Sequence, residues 1–265
     1  MSKSIVFFMY HALELPEREL CDAESGYVRY VVTEQTFRDQ LAAIERNGWA
    51  GWSVSESLRL MSGANDEAKH GVCLTFDDGC ATDLLSAAPL LGEKGFGATF
   101  YVTVDHLGRR GYLTKDQLRE LSDQGFEIGS HSLTHRYLND LGAGEIKTEL
   151  SESKQQLEEI TGRPVAHFSC PGGRVNSLID RIARETGYTS VATSRIGTNG
   201  AGTHRFSLKR IAVKRGMPIE EFENLARGQG LRIRQAETAV LDVAKRVLGN
   251  TMYERIRSNR LGRRP

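Results

Sequence analysis

The feature that most limits the folds open to this chain is an alternation: short apolar runs rich in β-formers are followed by helix-like segments, many of them ending in glycine. That rhythm is the pattern of repeated β-α units, with glycine supplying the left-handed residue that stops a helix. Seven strands are expected, at Ser4–Tyr10, Gly71–Phe76, Gly97–Thr103, Phe126–Gly129, Val165–Ser169, Thr189–Thr193 and Leu208–Val213. Helix signals lie between them. Thr36–Asn47 places Phe37, Leu41 and Ile44 on one face, and Ser53-Val-Ser-Glu56 and Thr114-Lys-Asp-Gln117 read as capping boxes. Gly144–Thr161 carries a buried stripe of Ile146, Leu150, Leu157 and Ile160, and Asn176–Thr186 and Pro218–Arg227 complete the set.

Parallel strands joined by helices give either an open doubly wound sheet or a closed β/α barrel, and both gather their chemistry at the carboxyl ends of the strands. His11, Asp77, Asp78 and His131 each fall just past the end of an expected strand. A closed or nearly closed barrel lets such residues converge on one mouth. The 265 residues, 39% hydrophobic, suffice for one such core, and no Pro-, Gly- or Ser-rich linker divides them. The expected organisation is a barrel over residues 1–230, then a C-terminal helix and basic tail over 231–265. Ala236, Val240, Val243 and Val247 line one side of that helix; beyond it Arg255, Arg257, Arg260, Arg263 and Arg264 face only Glu254. Such a tail reads as a solvated end or as a patch for anionic lipid or a phosphate-bearing substrate.

A net charge of +1, from 35 basic and 34 acidic residues, gives no global field for steering to nucleic acid or membrane. Cys21, Cys73, Cys80 and Cys170 show no Cys-x-x-Cys spacing and read as free thiols of a reducing compartment. The apolar run Ile5–Tyr10 is shorter than a signal-peptide core, and no stretch reaches the roughly 20 apolar residues that cross a bilayer. A cytoplasmic protein is expected.

The strongest chemical signal is Thr75-Phe-Asp-Asp-Gly79. Adjacent carboxylates at a strand end repel each other unless a cation or proton is shared, although Asp-Asp-Gly also makes a good turn into a helix. His131-Ser-Leu-Thr-His135 is the second signal, its imidazoles four residues apart and able to face one way on a helical turn. By itself such a pair is also an ordinary surface pair. Two histidines and one carboxylate would leave positions open on a divalent ion for water and a substrate oxygen, the arrangement of a catalytic site and a hydrolase. The second carboxylate is then free to accept a proton from water.

The two motifs, about fifty residues apart, resemble those of the polysaccharide deacetylase family, carbohydrate esterase family 4 or the NodB-homology domain, over roughly Ile5 to Val213. The resemblance implies a distorted (β/α)7 barrel, an α/β fold of parallel strands, that deacetylates sugars with Zn2+ or a similar divalent metal. It assigns the metal to Asp78, His131 and His135 and makes Asp77 the general base. The family's third motif, Arg-x-Pro-aromatic-Gly, is matched by Ser169-Cys170-Pro171-Gly172-Gly173, which places Pro171, Gly172, Gly173 and Arg174 at the substrate. The motif's arginine, which orients the base, is replaced by Ser169, and Arg174 is the candidate to reach back. No Leu-x-His strand follows Val213, but Met9-Tyr10-His11 closes the first strand as it would if the last motif were circularly permuted to the front. His11 then protonates the leaving amine, with His204 the competing acid. His70, His106 and His167 read as ordinary structural residues, and Cys80 and Cys170 carry little weight as thiolate ligands.

The expected activity is therefore metal-dependent removal of N-acetyl groups from a carbohydrate, a polysaccharide or a precursor of a surface polysaccharide, with the basic tail suited to membrane or lipid-linked substrate. The alternatives are a deacylase of a non-sugar amide on the same barrel and a carbohydrate-binding barrel with impaired catalysis.

Overall fold

The computed structural model describes residues 4–16, 18–22, 24–63, 70–232 and 234–235. The basic tail and nearly all of the helix expected at Leu231–Gly249 lie outside the described residues.

The chain begins with β1 (Ile5–Tyr10), β2 (Leu13–Glu14), α1 (Ser25–Val28), β3 (Val32–Thr33), α2 (Glu34–Arg46), β4 (Ala50–Trp52), α3 (Val54–Met61) and β5 (Gly71–Phe76). It continues through α4 (Ala88–Lys94), β6 (Thr99–Val102), α5 (Lys115–Asp123), β7 (Glu127–Ser130), α6 (Ala143–Thr161) and β8 (His167–Ser169). Then come α7 (Ser177–Glu185), β9 (Ser190–Ala192), β10 (Thr198–Asn199), β11 (Ile211–Ala212) and α8 (Ile219–Ala226). All seven expected strands are present, and both capping boxes form, at Ser53/Glu56 and Thr114/Gln117.

The parallel order β1-β5-β6-β7-β8-β9 curls into a ring that two short contacts close. Leu208 bridges to Ala192 of β9, and β11 pairs in parallel with β1 through Phe8↔Ile211 and Met9↔Ala212. A barrel closed by one bridge and a two-residue strand is a distorted one. β10 joins β1 antiparallel, and β4 lies beside the first half of β5, which β6 leaves uncovered.

Period-two alternation sorts the strand residues between two cores. Val6, Phe8, Tyr10, Leu74, Phe76, Phe100 and Val102 face the surrounding helices, while Ile5, Phe7, Cys73, Tyr101, Ala192 and Leu208 pack with Val54, Leu58 and Met61 of α3 in a separate cluster. Helix α3 is held where β6 and β7 begin: the Val54 amide donates to Thr99 Oγ1 and, with the Ser55 amide, to Glu127 Oε2. Glu127 thus caps the positive end of this helix, so the barrel is packed at the end opposite its mouth.

The helix after the aspartate motif has no side-chain cap and begins as a π-turn at Asp83–Ala87 before α4. In a regular helix the Pro89 ring would collide with the carbonyl of residue 85, and the wider turn relieves that contact.

Candidate active site

Inward parity carries β5 from Cys73 through Thr75 to Asp77, which is 2% exposed. The chain then turns: Asp78 has φ 82° and Gly79 φ 78°, and a Cβ on Gly79 would stand 2.9 Å from Val102 Cγ1. The turn aims Asp78 sideways while Asp77 stays inside the ring. Asp-Asp-Gly is thus a turn that presents its two carboxylates in different directions.

The histidine motif follows β7 as a loop and not as a helical turn. Ser132 (φ 71°) and His135 (φ 64°) join Asp78 as the three non-glycine residues in the left-handed region among the described residues. Each such conformation costs of order 1–3 kcal/mol and persists where its surroundings impose it. Here the buried Glu149 of α6 accepts the amides of Leu133 and Thr134, each at 3.0 Å, together with the Thr134 hydroxyl. Ser132 Oγ accepts the His135 amide at 3.0 Å.

The loop brings His131 Nε2 and His135 Nε2 each to 3.4 Å from Asp78 Oδ1. Charge-assisted bonds are shorter, about 2.7–2.9 Å, and Asp78 Oδ1 is buried without a hydrogen-bond partner. Two ligand atoms at about 2.1 Å from a tetrahedral centre stand about 3.4 Å apart, so this spacing fits one small cation better than direct contacts. The three side chains are the one His/Cys/Asp/Glu group of metal-holding geometry among the described residues.

His131 is prepared for such a role. Its Nδ1 donates to the Ser169 carbonyl at 2.8 Å, which leaves Nε2 as a lone pair toward Asp78. Burial pulls its pKa down to about 4 against the opposing charges of Asp77 and Asp78. Burial also works downward on His135, but the negative charge of the neighbouring Asp78 raises its pKa overall. For Asp78 the burial penalty is outweighed by the three imidazoles His135, His11 and His131, which hold the carboxyl far below its ordinary value.

Asp77 has a partner that sequence reasoning missed. Arg210, 1% exposed, enters from the segment that closes the barrel and uses all five N–H donors. Nη1 donates to Asp77 Oδ1 at 2.7 Å and Thr75 Oγ1 at 3.2 Å; Nη2 donates to Asp77 Oδ2 at 2.8 Å and Ser169 Oγ at 2.7 Å; Nε donates to the Thr193 carbonyl at 3.0 Å. Ser169 Oγ in turn donates to Asp77 Oδ2 at 3.2 Å. Burial alone would raise the Asp77 pKa, but the Arg210 charge and hydrogen bonds, with His131 and His11, lower it. The expectation that Arg174 reaches back is corrected: Arg174 lies over the Tyr137 ring at 5.4 Å, and the base is held by Arg210. The available signal was parity, because Arg210 shares the inward register of Leu208 on a strand of a packed barrel.

His11 sits one residue beyond β1, half-buried, where the Asp77 amide bonds the Tyr10 carbonyl at 3.0 Å. Burial lowers its pKa against the pull of Asp78 and Asp77. His204 is exposed beside α7, with Nε2 3.0 Å from Arg184 Nη2 and 3.7 Å from Asp180 Oδ2. The ring of His106 borders the site, 5.7 Å from that of His135. His70 packs on Trp49, and His167 bonds Ser55 and Ser190 at the far end of the barrel.

Pro171, Gly172 and Gly173 form a tight turn after β8. Gly173 (φ 69°) could carry no side chain, since a Cβ would stand 2.0 Å from Ser194 Oγ. The cysteine expectation is corrected in part: Cys21 and Cys80 form a disulfide, while Cys73 and Cys170 are free and buried. The disulfide removes the support that four free thiols gave to a reducing compartment. Burial pushes the Cys170 thiol up to about 12 and its Sγ donates to the Arg174 carbonyl, so it offers no thiolate ligand. No helix among the described residues is long and apolar enough to cross a membrane.

The distorted β/α barrel thus gathers an Asp/His/His cluster and an arginine-held aspartate at the carboxyl ends of its strands. Residues 64–191, just under half of the chain, match the family model Polysaccharide deacetylase, and similar proteins and solved structures are polysaccharide deacetylases, hydrolases acting on carbon–nitrogen bonds. YxkH of Bacillus subtilis strain 168, named for the same family, is 26% identical over 191 residues, 72% of this chain and 68% of its own. A peptidoglycan-N-acetylglucosamine deacetylase of Bacillus cereus is 28% identical over 152 residues, 57% of this chain and 64% of its own. Among solved structures, the Streptococcus pyogenes deacetylase PplD in complex with acetate superposes with a TM-score of 0.76 at 26% identity, covering 85% of this chain and 99% of that one.

Proposed function

We propose that the protein is a divalent-metal deacetylase that hydrolyses the N-acetyl groups of an amino-sugar glycan or of its precursor. The observation that carries this reading is the orphaned Asp78 Oδ1, set 3.4 Å from two imidazole nitrogens beside a separately held Asp77. Asp78, His131 and His135 would hold the cation, and the nitrogen and oxygen donors suit Zn2+. When bound, a divalent cation supplies Lewis acidity, which makes water easier to deprotonate and an acyl carbonyl easier to attack.

The chain's own groups supply the proton transfers. Asp77 accepts the proton of the attacking water, and Arg210 holds its carboxylate ionised and its two oxygens fixed. His11 donates a proton to the departing sugar nitrogen, which must leave as an amine. A binding barrel with impaired catalysis gains no support, because the base has recovered an arginine from another strand. The named relative that acts on peptidoglycan N-acetylglucosamine, and the acetate held by PplD, support an N-acetylated saccharide over a small amide.

The test is acetate release from N-acetylglucosamine oligomers by the metal-loaded enzyme. Asp77→Asn should lower kcat by several orders of magnitude with metal content unchanged, whereas Asp78→Asn should lose the metal itself. Wild-type turnover by Asp77→Asn, or full metal retention by Asp78→Asn, would overturn the assignment.

A further inference from the structure

A histidine that must deliver a proton needs its ring plane fixed, and a hydrogen bond from its second nitrogen is the usual means. His11 lacks that bond, since its Nδ1 is buried with no partner. Its ring is instead packed by two tyrosines. Tyr30 stacks on it with centroids 4.9 Å apart and planes 22° apart, and Tyr27 meets it edge-on at 5.8 Å and 87°.

Both tyrosines come from a segment with little regular structure of its own, since α1 has four residues and isolated helices that short do not persist in water. The segment is fastened from outside. The Cys21–Cys80 disulfide ties it to the loop two residues beyond Asp78, and the Tyr27 hydroxyl lies 3.0 Å from Cys21 Sγ and 3.1 Å from Cys80 Sγ. Gly111 lies so close beneath that a Cβ there would stand 2.6 Å from Cys21 Cα. On the far side the Arg215 amide bonds the Arg29 carbonyl at 2.8 Å, and Val32 returns to the barrel by pairing with Leu13.

We propose that Tyr30 and Tyr27 are positioning residues for His11, an aromatic clamp anchored by the Cys21–Cys80 disulfide that fixes the imidazole plane for proton delivery to the leaving amine. The inference rests on His11 acting as the general acid. The contact is made by ring faces, so its effect depends on the aromatic ring of Tyr30 and not on its hydroxyl. It acts on the proton-transfer step, so kcat falls while substrate binding does not change.

A double-mutant cycle on the metal-loaded enzyme, assayed on N-acetylglucosamine oligomers, tests this. Tyr30→Leu should lower kcat about tenfold with KM within about twofold of wild type, and Tyr30→Phe should restore it. In a His11→Ala background, Tyr30→Leu should add less than about twofold, because the residue it positions is gone. Cys21→Ser should follow the Tyr30→Leu pattern at unchanged metal content. Wild-type kcat in Tyr30→Leu, or an equal loss with and without His11, overturns the clamp, and wild-type kcat in Cys21→Ser overturns the anchor. Full activity of His11→Ala would instead defeat the general-acid reading. A crystal structure of Tyr30→Leu decides independently of residual rate: His11 in several rotamers supports the clamp, and His11 held as in wild type overturns it.

Discussion

Arg210 and Asp77, 133 residues apart in sequence, meet inside the barrel as a two-pronged ion pair with both side chains nearly free of solvent. A buried guanidinium is tolerable because each of its donors finds an acceptor, and a buried carboxylate because the guanidinium faces it. The pair therefore couples two properties that are usually separate. It closes the weakest seam of the ring, where β11 has two residues, and it sets the ionisation of the proposed base.

Replacing Arg210 should expose both. Arg210→Gln leaves Asp77 buried without a full countercharge, a change that costs about 3–5 kcal/mol in comparable buried pairs. Burial then dominates the Asp77 pKa, which rises. The acid limb of kcat/KM should move to higher pH, because the base must lose a proton it now holds more tightly. A limb that stays in place would show that Asp77 is not the base.

The loop between the two histidines makes a second prediction. Glu149 gathers two amides and a hydroxyl, holding Ser132 and His135 in conformations they would otherwise leave. Glu149→Gln retains size but exchanges one acceptor oxygen for a donor. Metal affinity, measured by competition with a chelator, should fall about 10–100-fold, as for other groups that orient metal ligands. Unchanged affinity would mean that the loop keeps its shape without Glu149.

The disulfide closes a loop with a sequence separation of 59. Chain entropy puts its contribution at about 4 kcal/mol, so reduction should lower Tm on the order of 10 °C. Thiol titration checks the bond itself: denatured, unreduced protein should show two thiols, those of Cys73 and Cys170, and reduction should double that number. Four thiols without reductant would remove the bridge.

The fold was legible because each strand carries a local signature, an apolar run with a stop on either side. The two-residue strands at Leu13–Glu14, Val32–Thr33 and Thr198–Asn199 were not, since no period can be read from two residues. Within the site, Asp78, His131 and His135 were legible by motif, but the histidine spacing suggested a helix where Glu149, further along the chain in α6, imposes a loop. Arg210 and the Cys21–Cys80 pair are long-range contacts without a local pattern. Only the inward register of residue 210 pointed to a buried charge needing a partner.

Asp83 lies in the π-turn behind the aspartate motif, 1% exposed, and neither carboxylate oxygen has a hydrogen-bond partner. Burial, reinforced by the charges of Asp78 and Asp77, raises its pKa well above the ordinary carboxylate value, so the native protein keeps a proton there that the unfolded chain releases above about pH 4. Because the native state binds more protons, stability must fall as pH rises between the unfolded and native pKa values, by up to about 1.4 kcal/mol per pH unit from this group. Asp83→Asn has the same shape and no proton to lose, so in chelator-treated protein its advantage over wild type should grow from about pH 4 upward and vanish below it. Parallel stability curves from urea unfolding across that range would show that Asp83 is ionised in the folded protein, and a partner for its charge would then have to be found.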